Sequence, residues 1–124
     1  MNRLLADANM SRRFVDACLR PKPGFPIIHI ADWTGGKHRA SKDQVLLGAL
    51  REYSLIIAGF DRRTMATHAG QLTREGPGHA GVILFRRSVA QMDYGKQSRL
   101  LVEFWKEAKD FDWADRIEYL PRPA

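Results

Sequence analysis

The stretch 54–60, SLIIAGF, carries six residues in a row, LIIAGF, without one polar side chain. A strand with one face in water alternates apolar and polar residues, whereas a strand apolar throughout has to be covered on both faces. GVILFRR at 81–87, apolar through its first five residues, and PIIHI at 26–30, apolar but for His29, read in a similar way. Between these runs lie segments of helical period. SRRFVDACLR (11–20) offers Ser11 as a cap, with Phe14, Val15, Cys18 and Leu19 at helical spacing. SKDQVLLGALREY (41–53) pairs Ser41 with Gln44 as a capping box and sets Val45, Leu46, Ala49, Leu50 and Tyr53 on one stripe. RRTMATHAGQLTRE (62–75) is a third helix. GKQSRLLVEFWKEAKD (95–110) is a fourth, with Leu101, Phe104, Trp105 and Ala108 inward. Strands at about 3–7 and 26–31, with DRIEYLP (115–121) adding a short last one, bring the total to four or five. Strands alternating with helices predict a three-layer α/β/α sandwich on a mainly parallel sheet, spanning residues 1–124 as a single domain.

The longest apolar run falls far short of the roughly 20 residues a membrane helix needs. The opening MNRLLADANMSRR lacks the apolar core and cleavage site of a signal peptide. Cys18, the one cysteine, has no internal partner for a disulfide. These features predict a cytoplasmic protein.

The net charge is +6, and it is unevenly spread. Residues 1–92 hold fourteen Lys/Arg against seven Asp/Glu, a surplus of +7, and residues 93–124 hold six against seven, or −1. Fourteen of the twenty cations are Arg, whose planar fork suits phosphate. A basic surface around a few acids suits nucleic-acid processing; solubility alone is the competing reading.

Three acids stand out against this basic background: RLLAD closes on Asp7, PIIHIAD on Asp32 and LIIAGFD on Asp61. In open parallel sheets ligands bind beyond the carboxyl ends of the strands, where strand order reverses. Three converging carboxylates would repel one another unless a cation lay between them. Hard oxygen ligands at a basic cleft suit Mg²⁺ or Mn²⁺ and metal-assisted phosphodiester hydrolysis. The competing reading of each Asp is a turn or a helix cap, and it weighs most on Asp32, which precedes WTGG. Asp43, in the first turn of the second helix, is favoured there by the helix dipole in any case.

Other residues divide in the same way. Arg12 and Arg13, and Arg62 and Arg63, follow Asp7 and Asp61 closely and are candidates for phosphate contacts, against the alternative of a solvated helix face. Trp33 is a candidate base-stacking residue beside Asp32. His29, His38, His68 and His79 lack metal-ligand spacing, and Gly35-Gly36-Lys37 is too short for a phosphate loop. Cys18, Phe104 and Trp105 read as core.

LLADANMSRRFVDACL, IIHIADW, ASKDQVLLGAL, LIIAGFDRRTM, AGVILFRRS and RIEYLP follow one another in an order that resembles the PIN-like domain family, the small bacterial proteins related to the Mut7-C ribonuclease-type domain. The likeness covers nearly the whole chain and rests on order and spacing. It implies a PIN-like fold and a metal-dependent ribonuclease, in many members the toxin of a toxin–antitoxin pair. By position, Asp7, Asp32 and Asp61 match the family's strand-end acids and Asp43 the acid opening the second helix. Asn9 stands where the family has an Asn. Ala8 and Arg63 depart from it, each standing where many members carry a further acid.

The leading expectation is a Mg²⁺- or Mn²⁺-dependent ribonuclease with RNA as substrate, an antitoxin protein as partner and a homodimer as assembly. Asp7, Asp61 and Asp32 would hold the metal, with Asp43 joining the catalytic set. Asn9, Arg12, Arg13, Arg62, Arg63 and Trp33 would meet substrate. A PIN-like domain that binds RNA or protein without catalysis is the second reading. A signalling receiver domain is the third, and it lacks support at Asp7-Ala8 and Leu120-Pro121, where it needs an acidic pair and a Lys.

Overall fold

A computed structural model describes residues 2–61 and 63–123, and of Arg63 the backbone alone. The chain runs β1 (Arg3–Ala6), α1 (Arg12–Leu19), β2 (Ile27–His29), a 3-10 segment (Ile30–Gly36), α2 (Asp43–Tyr53) and β3 (Leu55–Phe60). It continues through α3 (Arg63–Glu75), β4 (Val82–Phe85), α4 (Tyr94–Ala108) and β5 (Ile117–Leu120). The five strands form one sheet in the order β2-β1-β3-β4-β5, and every neighbouring pair is parallel. The α/β/α sandwich expected from the apolar runs is the architecture found.

Two separate cores follow from the period-2 geometry of a strand, which sends successive side chains to opposite faces. Leu4, Ala6, Ile56, Ala58, Phe60, Ile83 and Phe85 point to one face, where they meet Phe14 and Cys18 of α1 and Leu101, Phe104 and Trp105 of α4. Leu5, Leu55, Ile57, Val82 and Leu84 point to the other, against Leu46, Leu47 and Leu50 of α2 and Met65 and Ala69 of α3. All six residues of β3 are buried, as its uninterrupted apolar run requires. Truncating one of these fully buried Leu or Ile side chains to Ala costs about 2–5 kcal/mol.

Local signals account for some boundaries and not others. Ser11 caps α1 as expected, its hydroxyl accepting from the Arg13 amide at 3.0 Å. The capping box expected of Ser41 and Gln44 does not form: Lys42 is the N-cap and makes no side-chain cap bond. Gln44 instead donates to Gln71 at 3.1 Å, bridging α2 to α3. The stripe expected on α2 also differs, because Leu46, Leu47 and Leu50 face the sheet while Val45 and Tyr53 are 59% and 54% exposed. The helix is therefore turned by about one position, with an apolar edge left in solvent.

β2 is shorter than the 26–31 expected. Its last register partner, Ala6 opposite His29, is the end of β1, so no neighbour remains to pair with. His29 Nδ1 accepts from the Ala31 amide at 3.0 Å, and its Nε2 sits 2.8 Å from the Met10 carbonyl. Because Nδ1 accepts, Nε2 carries the proton and donates to Met10. This buried histidine turns the chain into the 3-10 segment. Among the described residues no helix is long and apolar enough to cross a membrane.

Candidate functional site

Strand order reverses between β1 and β3, because β2 lies outward on one side of that pair and β4 and β5 on the other. The crevice beyond the carboxyl ends of β1 and β3 is thus where an open parallel sheet binds its ligands. Asp7 leaves β1 there, its amide donating to the Ala58 carbonyl at 2.9 Å. The Asp7 carboxylate accepts from the Ala8 amide at 2.7 Å. Two residues on, Asn9 turns its Oδ1 back toward the Phe60 amide at 3.4 Å.

Gly59 makes this approach possible. A Cβ at that position would lie 3.2 Å from Asn9 Oδ1, 3.3 Å from Asp7 Cβ and 3.4 Å from Asp7 Oδ2. The missing side chain forms a cradle that the two polar groups fill.

Asp43 reaches the same crevice from the first turn of α2. Its Oδ2 accepts from Thr64 Oγ1 at 2.8 Å, joining the starts of α2 and α3. Asp7, Asn9, Asp43 and Thr64 line one cavity of about 80 Å³ over Ile57, Leu84 and Met65. That is room for a few water-sized groups. Each of the four side chains carries an oxygen that can act as a ligand, and two of them are carboxylates. Such a donor set fits a hard divalent cation, and Mg²⁺ in particular is commonly held by one or two carboxylates and completed by substrate phosphate. Among the described residues, no three His, Cys, Asp or Glu side chains gather as a metal-ligand group.

Asp61 follows β3, with its amide donating to the Phe85 carbonyl at 2.8 Å. It faces a second, wider groove of about 650 Å³ that also carries Arg87 and Gln91. Thr64 and Phe60 border both spaces, so the groove and the small cavity share a wall. The loop that supplies Arg87 is held from inside by fully buried Gln97, whose Nε2 donates to the carbonyls of Ala90 at 2.9 Å and Gln91 at 3.0 Å.

Asp32 stands apart from the cavity. It lies three residues past the end of β2, within the 3-10 segment, and pairs with Arg12 at 3.0 Å. Both side chains are more than half exposed, so the pair contributes little to stability. Arg12 is therefore engaged with an acid, and Arg13 lies exposed beside it. Arg62 and the side chain of Arg63 lie outside the described residues. Trp33 stacks on His38, with ring centroids 4.9 Å apart, and meets Tyr53 edge-on at 5.6 Å. Of the adjacent Arg86 and Arg87, Arg86 donates to the Pro121 carbonyl at 2.8 Å and lies over the Tyr119 ring, and Arg87 opens to the groove.

Burial pushes the Cys18 thiol up to about 12, which keeps it protonated and removes it as a nucleophile. Thr64, Arg87 and Gln97 were not singled out from the sequence. Thr64 had one signal, a hydroxyl in the first turn of the helix that follows Asp61; Gln97 had none, because its role depends on a loop closing around it.

Compared with protein-family models, curated proteins and solved structures, the chain matches none.

Proposed function

We propose that the protein is a metal-dependent ribonuclease of the PIN-like type, with Asp7 and Asp43 as the carboxylates that hold Mg²⁺ or Mn²⁺. One observation carries the reading: these two acids, from different elements, line one small cavity at the point where strand order reverses. Such an ion, when bound, supplies positive charge against the phosphate and acidity toward water. Asn9 orients Asp7 across Gly59, and Thr64 holds Asp43 by its hydroxyl hydrogen bond. Asp61 faces the adjoining groove, from which it can accept a proton or align water at the scissile phosphate. Arg87 offers that groove a cation for the RNA backbone. Asp32 belongs to the ion pair with Arg12 in this reading and not to the metal. A cytoplasmic setting belongs to this reading on the sequence features given above, and an antitoxin partner and a homodimer belong to it as the resemblance implies them.

The test is cleavage of a single-stranded RNA panel with Mn²⁺, Mg²⁺ or EDTA by wild type, Asp7→Asn and Asp43→Asn. The expected outcome is metal-dependent cleavage that falls at least about a hundredfold in either variant. Cleavage that survives EDTA, or that both variants retain, would overturn the assignment.

The second reading is a domain of this type that binds without catalysis, favoured by the ion pair that takes Asp32 away and leaves two carboxylates in the cavity. Mn²⁺ binding without cleavage of any RNA would select it. The strand order is also one that receiver domains share, but Asp7 is followed by Ala8 where that chemistry needs a second acid.

A further inference from the structure

The 3-10 segment and the loop after it contain a feature that the cavity does not use. Residues 33–42, WTGGKHRASK, hold three cations and no acid, and Lys37, Arg39 and Lys42 are all exposed. The segment is compact. Lys37, Arg39 and Ser41 amides donate to the carbonyls of Thr34, Gly36 and His38 at 3.3, 3.2 and 3.1 Å, one short turn following another. Within it Trp33 stacks on His38 at an interplanar angle of 29°. Tyr53, from the far end of α2, closes on Trp33 edge-on and is 54% exposed.

The acids at either end are accounted for. Asp32, just before the segment, is paired with Arg12. Asp43, just after it, turns into the cavity and accepts from Thr64. A stretch of cations with aromatic rings thus runs directly up to a carboxylate of the candidate site.

We propose that residues 33–42 together with Tyr53 form a binding track for single-stranded nucleic acid, with bases on the Trp33–His38–Tyr53 rings and phosphates on Lys37, Arg39 and Lys42. Charge complementarity selects this occupant. Within 33–42 the rings lie among three cations and no acid. Asp32 before it is paired with Arg12, and Glu52 beside Tyr53 is an exposed acid next to the rings. The cations outweigh it and match a polymer of alternating bases and phosphates, while base stacking on aromatic side chains tolerates any sequence. A duplex keeps its bases stacked inside and cannot use the rings. The track rests on the hydrolase reading only for where the strand leads; binding to it requires neither metal nor Asp7.

The experiment is fluorescence anisotropy of a short labelled single-stranded RNA with wild-type protein in EDTA, repeated over a salt series. Trp33 packs partly against the second core, so its replacement risks the fold. The informative variants are Tyr53→Ala and the triple Lys37→Ala/Arg39→Ala/Lys42→Ala, all at exposed positions. Tyr53→Ala should weaken binding by roughly fivefold or more. The triple variant should make the slope of log affinity against log salt shallower by about 2, close to three phosphate contacts.

Wild-type affinity and slope in both variants would overturn the track and leave the rings and cations for a protein partner. Equal binding of a duplex of the same sequence would overturn it too. Loss of binding in these variants alongside an RNA panel that no metal renders cleavable would sustain the track and sink the hydrolase. Undiminished binding alongside metal-dependent cleavage would do the reverse.

Discussion

Two Asp–Thr hydrogen bonds of the same length, 2.8 Å, sit at opposite edges of the sheet. At the carboxyl edge Thr64 donates to Asp43; at the amino edge Thr73 donates to Asp115. Their surroundings differ. Asp115 Oδ1 also accepts the His79 amide at 3.1 Å, and a Cβ on Gly78 would lie only 2.6 Å from it. That carboxylate is exposed, but one of its oxygens takes bonds from two elements and ties the approach to β4 to the approach to β5. Asp43 instead faces a cavity shared with Asp7 and Asn9. An acid held by a threonine is a structural clamp where a second donor of the protein also engages it, and a candidate ligand where it lines a cavity instead.

The sharpest way to break this contrast is at its two glycines. Gly78 has φ +72°, so Gly78→Ala adds backbone strain to a clash with Asp115 and should cost about 3 kcal/mol. That corresponds to roughly 10 °C in Tm; a melt within two or so degrees of wild type would show that Asp115 is not held in place at the amino edge. Gly59→Ala meets its neighbours at 3.2 Å and beyond, without positive φ. It should change stability by about 1 kcal/mol or less yet displace Asp7 and weaken Mn²⁺ binding about tenfold, read by calorimetry.

A smaller difference is expected from the acids themselves. Asp115→Ala removes the acceptor for two donors and should cost about 2 kcal/mol. Asp43→Ala should cost about 1 kcal/mol or less, because an acid in an open cavity gives up little stability when lost. Urea unfolding of the two variants side by side measures this, and equal midpoints would erase the distinction between clamp and ligand.

The smallest effect depends on pH. Burial lowers the pKa of His79 from its ordinary 6.5, against the opposing pull of Asp115. Its Nδ1 accepts the Gly81 amide at 3.1 Å, so protonation there sets two N–H groups against each other. Because the folded pKa lies below the unfolded one, stability is full above 6.5 and falls as pH drops from there through the folded value. Urea midpoints at several pH values, wild type against His79→Gln, should differ by a fixed offset above that window and draw together as pH falls through it. Parallel curves would remove His79 from the account.

Much of the fold was legible because burial on two faces leaves an unmistakable mark. LIIAGF and GVILF have no polar position to turn toward water, so the sheet, its parallel sense and its covering helices follow from them. The helix carrying Leu101, Phe104, Trp105 and Ala108 was readable for the same reason. The face of α2 was less so, since Val45 and Tyr53 fit an apolar stripe by spacing although Leu47 takes the buried place. Spacing alone does not say where a helix begins, and a one-residue shift at Lys42 rotates every later side chain by about 100°.

The acids divide along the same line. That Asp7 and Asp61 stand at strand ends was determined by the sequence alone, because each closes an apolar run that had to be a buried strand. Asp32 closes a similar run, but the outer strand before it loses its partner at His29, so the chain turns away into the 3-10 segment and Arg12 takes the carboxylate. Only the tertiary structure decided that Asp7 shares its cavity with Asp43, that Asp61 opens to the next groove, and that Thr64 stands between them. The physical reason is that strand order, helix rotation and the space left by a missing Cβ at Gly59 are properties of elements packed together. Local pattern reports which side chains must be buried; it carries no record of which elements become neighbours.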